Sequence, residues 1–97
     1  MIVVIFRAKM RSIDDEYLET AKRMRELAMT QFSCKEFHAV CEDGEEVALS
    51  YWPDEASIKA WREHPEHKEA QRRGQQKWYQ SYRVEVANIT REYPMGS

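Results

Sequence analysis

The sequence has little of what builds several common functional sites. Its 97 residues include only three glycines, three prolines and two cysteines. With so few glycines it has no phosphate-cradling loop, and it also lacks the G-x-S-x-G motif of serine hydrolases. No stretch approaches the ~20 apolar residues of a membrane helix. The first ten residues, MIVVIFRAKM, lack the small-residue cleavage site of a signal peptide. We therefore expect no membrane partner.

The two cysteines do not form a disulfide framework. Cys34 and Cys41 are expected on one strand, seven residues apart, so their side chains would point to opposite faces. No C-x-x-C motif occurs. We therefore expect reduced thiols in a cytoplasmic protein.

The charge balance gives no general attraction to nucleic acid. The net charge is −2 and the isoelectric point is near 5.9, so a nucleic-acid partner is not expected. The basic run Lys68–Arg73 is interpreted as a solvated helix face. A chain of this length makes one domain with a thin core, and such a core gains from a partner surface.

Hydrophobic patterning predicts the order βαββαβ. Ile2–Phe6 is apolar without interruption, which is typical of a strand covered on both faces. Asp43-Gly44 predicts a two-residue hairpin turn. Asp54 is a good helix N-cap, and Pro65 suits the first turn of the next helix. A last strand is expected over residues 81–92.

This order predicts an α+β, ferredoxin-like fold with a four-stranded antiparallel sheet and both helices on one face. The first and third strands would lie at its centre. The other face would remain open and rich in Ile and Val, which predicts a homodimer.

One stretch, Tyr51–Val86, also carries a family resemblance. Its matching residues are Trp52, Ile58, Trp61, His64-Pro65-Glu66-His67, Ala70-Gln71, Gly74, Trp78-Tyr79 and Tyr82-Arg83-Val84. Through these residues the chain resembles the antibiotic biosynthesis monooxygenase superfamily over residues 1–93, while residues 94–97 are expected to be a disordered tail or an expression remnant. The resemblance implies a dimeric α+β barrel.

The resemblance also implies two chemistries. One is cofactor-independent oxygenation of phenols or quinols, in which the substrate supplies the electrons to dioxygen. Pocket residues of the types implicated there are Trp61, Tyr51, Trp78, Tyr82 and Arg83. The other is haem degradation, but Gln71 stands where the haem-ligating histidine would be, and the first strand has no asparagine. We therefore predict no cofactor.

The histidines offer candidates for acid–base chemistry. His67 is the best general base, because the unperturbed pKa of histidine lies near neutrality. His38, in the middle of a strand, is a second candidate or a structural residue. His64 and His67 are three apart, but no third ligand is evident, so no metal is predicted. The acidic pair Glu45-Glu46 is interpreted as hairpin surface.

The sequence thus predicts a monooxygenase-like oxidoreductase acting on a small aromatic compound. Its catalytic residues would be His67, Trp61 and Arg83, and its substrate-binding residues would be Tyr51, Trp78, Tyr82 and His38. Trp61 and Trp78 are equally open to interpretation as core residues. The alternatives are a non-catalytic small-ligand-binding or stress-related dimer, an isomerase or decarboxylase, and, less favoured, a haem-degrading enzyme.

Overall fold

The computed structural model describes residues 1–96. Along the chain it contains β1 (Ile2–Met10), α1 (Asp15–Gln31), β2 (Glu36–Glu42), β3 (Glu45–Trp52), α2 (Glu55–Glu63), α3 (Pro65–Arg73), a π-helical segment (Gly74–Trp78) and β4 (Tyr79–Asn88). The sheet order is β2-β3-β1-β4 and all pairs are antiparallel. The predicted ferredoxin-like fold and its central strands β1 and β3 are confirmed.

Local signals set most of the element boundaries. The Asp14 carboxylate accepts a hydrogen bond from the Tyr17 N–H and caps α1, and Asp54 caps α2 in the same way. His64 Nδ1 accepts from the Glu66 N–H, so this histidine caps α3 just before Pro65. In the hairpin turn, Asp43 and Gly44 have φ values of 52° and 77°, as expected for a tight turn with both residues in the left-handed region.

The two faces of the sheet have different neighbours. Side chains alternate along each strand, so the registers place one set under the helices, here called the helix face: Ile2, Val4, Phe6, Ala8, Phe37, Ala39, Cys41, Glu46, Ala48, Ser50, Trp52, Tyr82, Val84 and Val86. The opposite set forms the open face, which includes Val3, Ile5, His38, Val40, Val47, Leu49, Tyr51 and Arg83. The open face is the one on which a second copy was predicted to pack.

The hydrophobic core lies at one end of the space between the helices and the sheet. Its buried residues are Val4, Leu27, Ala28, Cys34, Trp52, Ile58 and Trp61. Trp52 is fully buried, and its indole N–H donates to the Ser50 hydroxyl at 2.8 Å. The core does not extend evenly under α1, which leaves room for the cavity described below.

Two details of the sequence prediction are wrong. Cys34 precedes β2 rather than lying on it, because β2 begins only at Glu36. Its thiol is buried and donates to the Glu36 carbonyl at 3.2 Å, while Cys41 is exposed, and both are free. β4 begins at Tyr79, two residues before the predicted start, and ends at Asn88. Of the predicted tail, Ser97 lies outside the described residues.

Candidate functional site

An apolar cavity of about 320 Å³ lies between α1, α3 and the helix face of the sheet. Its volume is at the lower end of the range of ~300–1,000 Å³ that is usual for small-molecule sites. Small side chains keep it open, since Ala21 on α1, Ala70 on α3, and Ala39 and Ala48 on the sheet all line it. Larger side chains at these positions would fill the space.

His67 and Trp61 form one end of the cavity. Their ring centroids are 4.3 Å apart and the rings are nearly perpendicular, and Phe37 packs edge-on against Trp61. The Trp61 indole N–H donates to the Met24 carbonyl at 3.3 Å, which fixes the ring between α1 and the sheet. Trp61 is only 8% exposed, so it belongs to the core and also to the cavity wall.

The His67 imidazole is held in its neutral form. The pKa of His67 is lowered to about 4, chiefly by burial and secondly by the positive charge of Arg62. Its Nδ1 is buried without a hydrogen-bond partner among residues 1–96. His67 also lines the cavity, and a neutral imidazole has one nitrogen that can accept a hydrogen bond or a proton from a ligand hydroxyl.

A second polar group lies at the other end of the cavity. The Tyr17 hydroxyl, on α1, donates a hydrogen bond to the Glu46 carboxylate, on β3. The rings of Phe6, Trp78 and Tyr79 surround this pair, with Tyr17 packing edge-on against Trp78 at 5.3 Å and Phe6 against Tyr79 at 5.3 Å. Among the described residues, Glu46 makes no salt bridge.

Burial shifts the titration of this cluster. It raises the pKa of Glu46, and the hydrogen bond from Tyr17 offsets part of that rise. The pKa of Tyr17 is also raised, first by burial and then by its hydrogen bond to Glu46. Burial, with the nearby charge of Glu46, raises the pKa of Tyr79 to about 12. Ionised phenols are therefore disfavoured at this end.

Two irregularities of the backbone bring Tyr79 into the cavity. The register of β1 and β4 shifts between Lys9 and Met10, so that Gln80 is an extra residue, and Tyr79 and Tyr82 come to line the same cavity. Just before the strand, the π-helical segment places Gly74 beneath the Tyr79 ring. A Cβ at Gly74 would lie 2.4 Å from Tyr79 Cε2. Only glycine allows this close approach.

Positive charges stand at the rim of the cavity. Lys22 and Arg25 on α1, and Arg62 on α2, are exposed and also line it. None of the three makes a salt bridge within the described part of the chain. The rim therefore attracts anionic or acidic ligands, although the whole chain carries a net charge of −2.

The structure brings four of the predicted site residues together. His67, Trp61, Trp78 and Tyr82 line the one cavity. Trp78 is only 1% exposed and its indole N–H donates to Asp14 at 3.4 Å, so it is mainly a wall residue. The Tyr82 hydroxyl accepts a hydrogen bond from the Gln75 amide at 2.8 Å.

Tyr51, His38 and Arg83 require a correction, because they do not converge with the other four. They lie on the open face of the sheet, where His38 is near Glu36 (3.5 Å) and Arg83 near Glu85 (3.5 Å). The reason is the two-residue period of the strands: each side-chain neighbour along the strand, such as Ser50 next to Tyr51, takes the helix face instead. We leave these three out of the proposed site.

Sequence reasoning missed Glu46, Tyr79 and Tyr17. Glu46 was assigned to the hairpin surface, yet it lines the cavity and is partly buried. A signal was present, because Glu46 shares the parity of Ala48 and Ser50 on β3, and this is the face with small side chains. Tyr17 was not among the predicted site residues either.

Within residues 1–96, no group of three His, Cys, Asp or Glu side chains is placed to hold a metal ion. His64, which was weighed as a ligand beside His67, instead caps α3. Gln71, at the position that the resemblance gives to a haem ligand, lines the cavity. Among the described helices, none is both long enough and apolar enough to span a bilayer.

The fold agrees with comparisons to known proteins. The family model described as antibiotic biosynthesis monooxygenase matches residues 1–73. The chain therefore belongs to the antibiotic biosynthesis monooxygenase family. It is also 40% identical over 90 residues to the uncharacterized protein YqjZ of Bacillus subtilis (strain 168), an alignment that covers 92% of this chain and 79% of the relative.

Solved structures share the fold at low sequence identity. SnoaB, a cofactor-independent oxygenase from Streptomyces nogalater, superposes with a TM-score of 0.81 at 11% identity, over 97% of each chain. Rv0793 from Mycobacterium tuberculosis gives a TM-score of 0.79 at 16% identity, over 96% of this chain and 98% of that one. At these identities the likeness is evidence for the fold.

Proposed function

We propose that this chain is a cofactor-independent monooxygenase that oxidises a small aromatic phenol or quinol in the cavity between sheet and helices. The observation that carries the proposal is His67, a neutral imidazole that lines an aromatic cavity and whose buried Nδ1 has no hydrogen-bond partner among the described residues. Membership of the monooxygenase family supports the reaction class. So does the shared fold of SnoaB, which is a cofactor-independent oxygenase.

In this proposal His67 accepts the proton of the substrate hydroxyl. The anion that results is electron-rich and transfers electrons to dioxygen directly. For a phenol, a ring carbon that carries hydrogen becomes a second carbonyl carbon, and its oxygen atom comes from dioxygen. The other atom of dioxygen leaves as water with the two hydrogens of the O–H and C–H groups. Phenol plus dioxygen therefore gives quinone plus water, and no external reductant is needed.

The walls and the rim have separate roles. Trp61 and Phe37 hold the aromatic ring next to His67, and the apolar lining keeps water away from the reactive anion. Arg62, whose charge already acts on His67, stabilises the negative charge that develops on the substrate oxygen.

The low pKa of His67 sets a condition on the substrate. Transfer from a simple phenol, with a pKa of about 10, to a base with a pKa of about 4 would cost roughly 8 kcal/mol. Hydroxyls acidified by conjugation should therefore react fastest. The same weak basicity favours a second candidate function, a dimer that binds the aromatic compound without turnover.

Oxygen uptake separates the two functions. Purified protein with no added cofactor should consume oxygen with a series of phenols and quinols, and faster as the hydroxyl becomes more acidic. With ¹⁸O₂, one labelled atom should appear in the product. His67→Ala should lower the rate by ~10²–10⁴-fold, the usual contribution of a general base, while binding measured by tryptophan fluorescence stays within a few-fold.

The control is His38→Ala, which alters the histidine on the open face and should leave the rate unchanged. Binding without oxygen uptake for every compound would assign the chain to the non-catalytic class. Equal losses in His67→Ala and His38→Ala would remove His67 from the mechanism.

A further inference from the structure

The cavity has two polar ends rather than one. His67 lies at the level of Met24 on α1, because it packs on Trp61, and Trp61 donates to the Met24 carbonyl. Glu46 lies at the level of Tyr17, seven residues earlier on the same helix. At 1.5 Å per residue this separates the ends by about 10 Å. The rest of the lining includes the small and apolar side chains of Val4, Ala21, Ala48 and Val84, with Gln71 as a further polar residue.

The two ends also differ in charge. The basic rim residue Arg62 and the neutral His67 mark one end, where an acidic hydroxyl is favoured. At the other end Glu46 accepts one hydrogen bond from Tyr17 and has no cationic partner in the part of the chain that the structure describes. A carboxylate has about four acceptor sites on its two oxygens, so most of its capacity is left for a ligand.

A carboxyl group is costly to place in such a site without a donor to pair with. Burial raises the pKa of Glu46, and the hydrogen bond from Tyr17 compensates its charged form only in part. Ionisation of Tyr79 would add a second negative charge beside the carboxylate and so increase this cost, and the Phe6 ring offers no donor. A ligand donor that reached Glu46 would supply the missing hydrogen bond.

We propose that Glu46, oriented by Tyr17, is a specificity-determining residue that selects a two-ended substrate. This inference rests on the proposed function and names its substrate class: an aromatic compound with an acidic hydroxyl at the His67 end and a second hydrogen-bond donor about 10 Å away. The donor is a hydroxyl or an ammonium group. The charge arrangement fixes the orientation, with the acidic hydroxyl toward Arg62 and the second donor toward Glu46.

Para-substituted biphenyls test this class, because two linked rings match the span between the ends. Three 4-hydroxybiphenyl probes differ only at the far 4′ position, which carries a hydroxyl, an aminomethyl or a methyl group. Their dissociation constants are measured by tryptophan fluorescence on the full chain. The donor-ended probes should bind about 10–100-fold more tightly than the methyl-ended probe, as expected for hydrogen bonds to a charged group.

Two substitutions of Glu46 should then separate the donors. Glu46→Leu should abolish the preference for both donor-ended probes. Glu46→Gln, which keeps an acceptor oxygen and removes the charge, should retain the preference for the hydroxyl and lose most of that for the aminomethyl group. The matched control is Glu45→Gln, one residue away on the opposite face of the sheet, which should keep both preferences. Circular dichroism spectra confirm that each variant is folded.

The outcomes distinguish this inference from the proposed function. A donor preference that persists in Glu46→Leu, or its absence in the unmodified chain, would overturn the role of Glu46 even if oxygen is consumed. If the preference depends on Glu46 but neither the probes nor any of the more acidic phenols and quinols supports oxygen uptake, the substrate site stands as a binding site and the oxygenase proposal fails. If Glu45→Gln weakens binding as much as Glu46→Gln, the effect is general electrostatics and the inference is wrong.

Discussion

At the scale of single residues, the cavity makes ionisation harder for both of its titratable ends. Burial lowers the pKa of His67 to about 4 and raises that of Glu46. Both shifts favour the neutral form, as expected where water is excluded. A ligand that completes the hydrogen bonds of such a site binds more tightly. The same pKa shifts also have measurable consequences for stability.

His67 should make the folded state less stable in mild acid. Between its folded pKa of about 4 and an unfolded value of about 6.5, the unfolded chain binds a proton that the folded chain does not. The free energy of unfolding should therefore rise with pH across this window, by at most about 3 kcal/mol. In His67→Phe that contribution disappears.

Urea unfolding at several pH values from 4.5 to 7.5 measures this contribution as the difference between the two proteins. Glu46 acts in the opposite sense, because its raised pKa makes the folded chain lose stability as pH rises, but it is present in both proteins and cancels. Parallel curves for His67→Phe and the unmodified chain would contradict the shifted pKa.

Gly74 should be intolerant of even one added methyl group. In Gly74→Ala the new Cβ would lie 2.4 Å and 2.7 Å from two carbons of the Tyr79 ring, closer than atoms can pack. The ring is confined by Phe6, Tyr17 and Tyr82, so it cannot move away freely. We expect a loss of about 1–3 kcal/mol in the free energy of unfolding, the usual cost of overpacking.

A double-mutant cycle shows whether the clash with Tyr79 is the cause. When Tyr79→Ala has already removed the ring, adding Gly74→Ala should cost almost nothing, which gives a strongly non-additive cycle in chemical denaturation. If Gly74→Ala costs the same with and without the ring, the loss has another origin, such as the π-helical backbone itself.

At the scale of elements, short-range signals predicted the fold well, whereas the face of the sheet on which each side chain lies was harder to predict. Asp43-Gly44, Asp54 and Pro65 act within a few residues of their position, so their roles could be predicted from the sequence alone. On β3, however, both alternating sets contain bulky residues, with Val47, Leu49 and Tyr51 opposite Ala48, Ser50 and Trp52. Hydrophobicity alone could not decide which set faces the helices.

The start of β4 could not be predicted either. Its position depends on the register shift at Lys9 and Met10 and on the π-helical turn before it, and neither has a clear local signature. Tyr79 was therefore not included in the predicted site. Glu46 was missed for a related reason: an acidic residue beside a hairpin is usually exposed, and only the packing of α1 above β3 encloses this one.

The middle of helix α1 lines the cavity and its C-terminal end packs in the core, so the same substitution at these two places should have different effects on stability. Ala21 lines the cavity, whereas Ala28 is fully buried. Ala21→Leu should fill empty space, leave stability unchanged or raise it by up to ~1 kcal/mol, and weaken ligand binding at least tenfold. Ala28→Leu has no free volume and should lose about 1–3 kcal/mol.

Thermal unfolding and fluorescence titration of the same two variants measure both effects. The substitution, the helix and the change in volume are matched, so the contrast compares the exposed cavity wall at Ala21 with the closed core at Ala28. An Ala21→Leu protein that is destabilised as much as Ala28→Leu would show that the cavity closes in solution.

At the scale of the whole molecule, the sheet has one face without cover. The helices cover only the helix face, while the open face presents Val3, Ile5, Val47 and Leu49 on the central strands and Val40 at the edge. Val40 is 68% exposed. Apolar surface of this kind on a small domain favours association. We therefore propose a homodimer formed through the open face.

Light scattering at micromolar concentration should give a mass of about twice 11.6 kDa. Leu49→Lys places a charge at the centre of the open face and should give monomers, because burying an unpaired charge in an interface is costly. The control is Leu18→Lys, which charges an equally large apolar residue that is 56% exposed on α1 and should leave the mass unchanged. A monomeric unmodified chain would contradict the dimer. Dissociation by Leu18→Lys rather than Leu49→Lys would move the interface to the helices, where it would cover the cavity rim at Lys22 and block the entry that the proposed substrate needs.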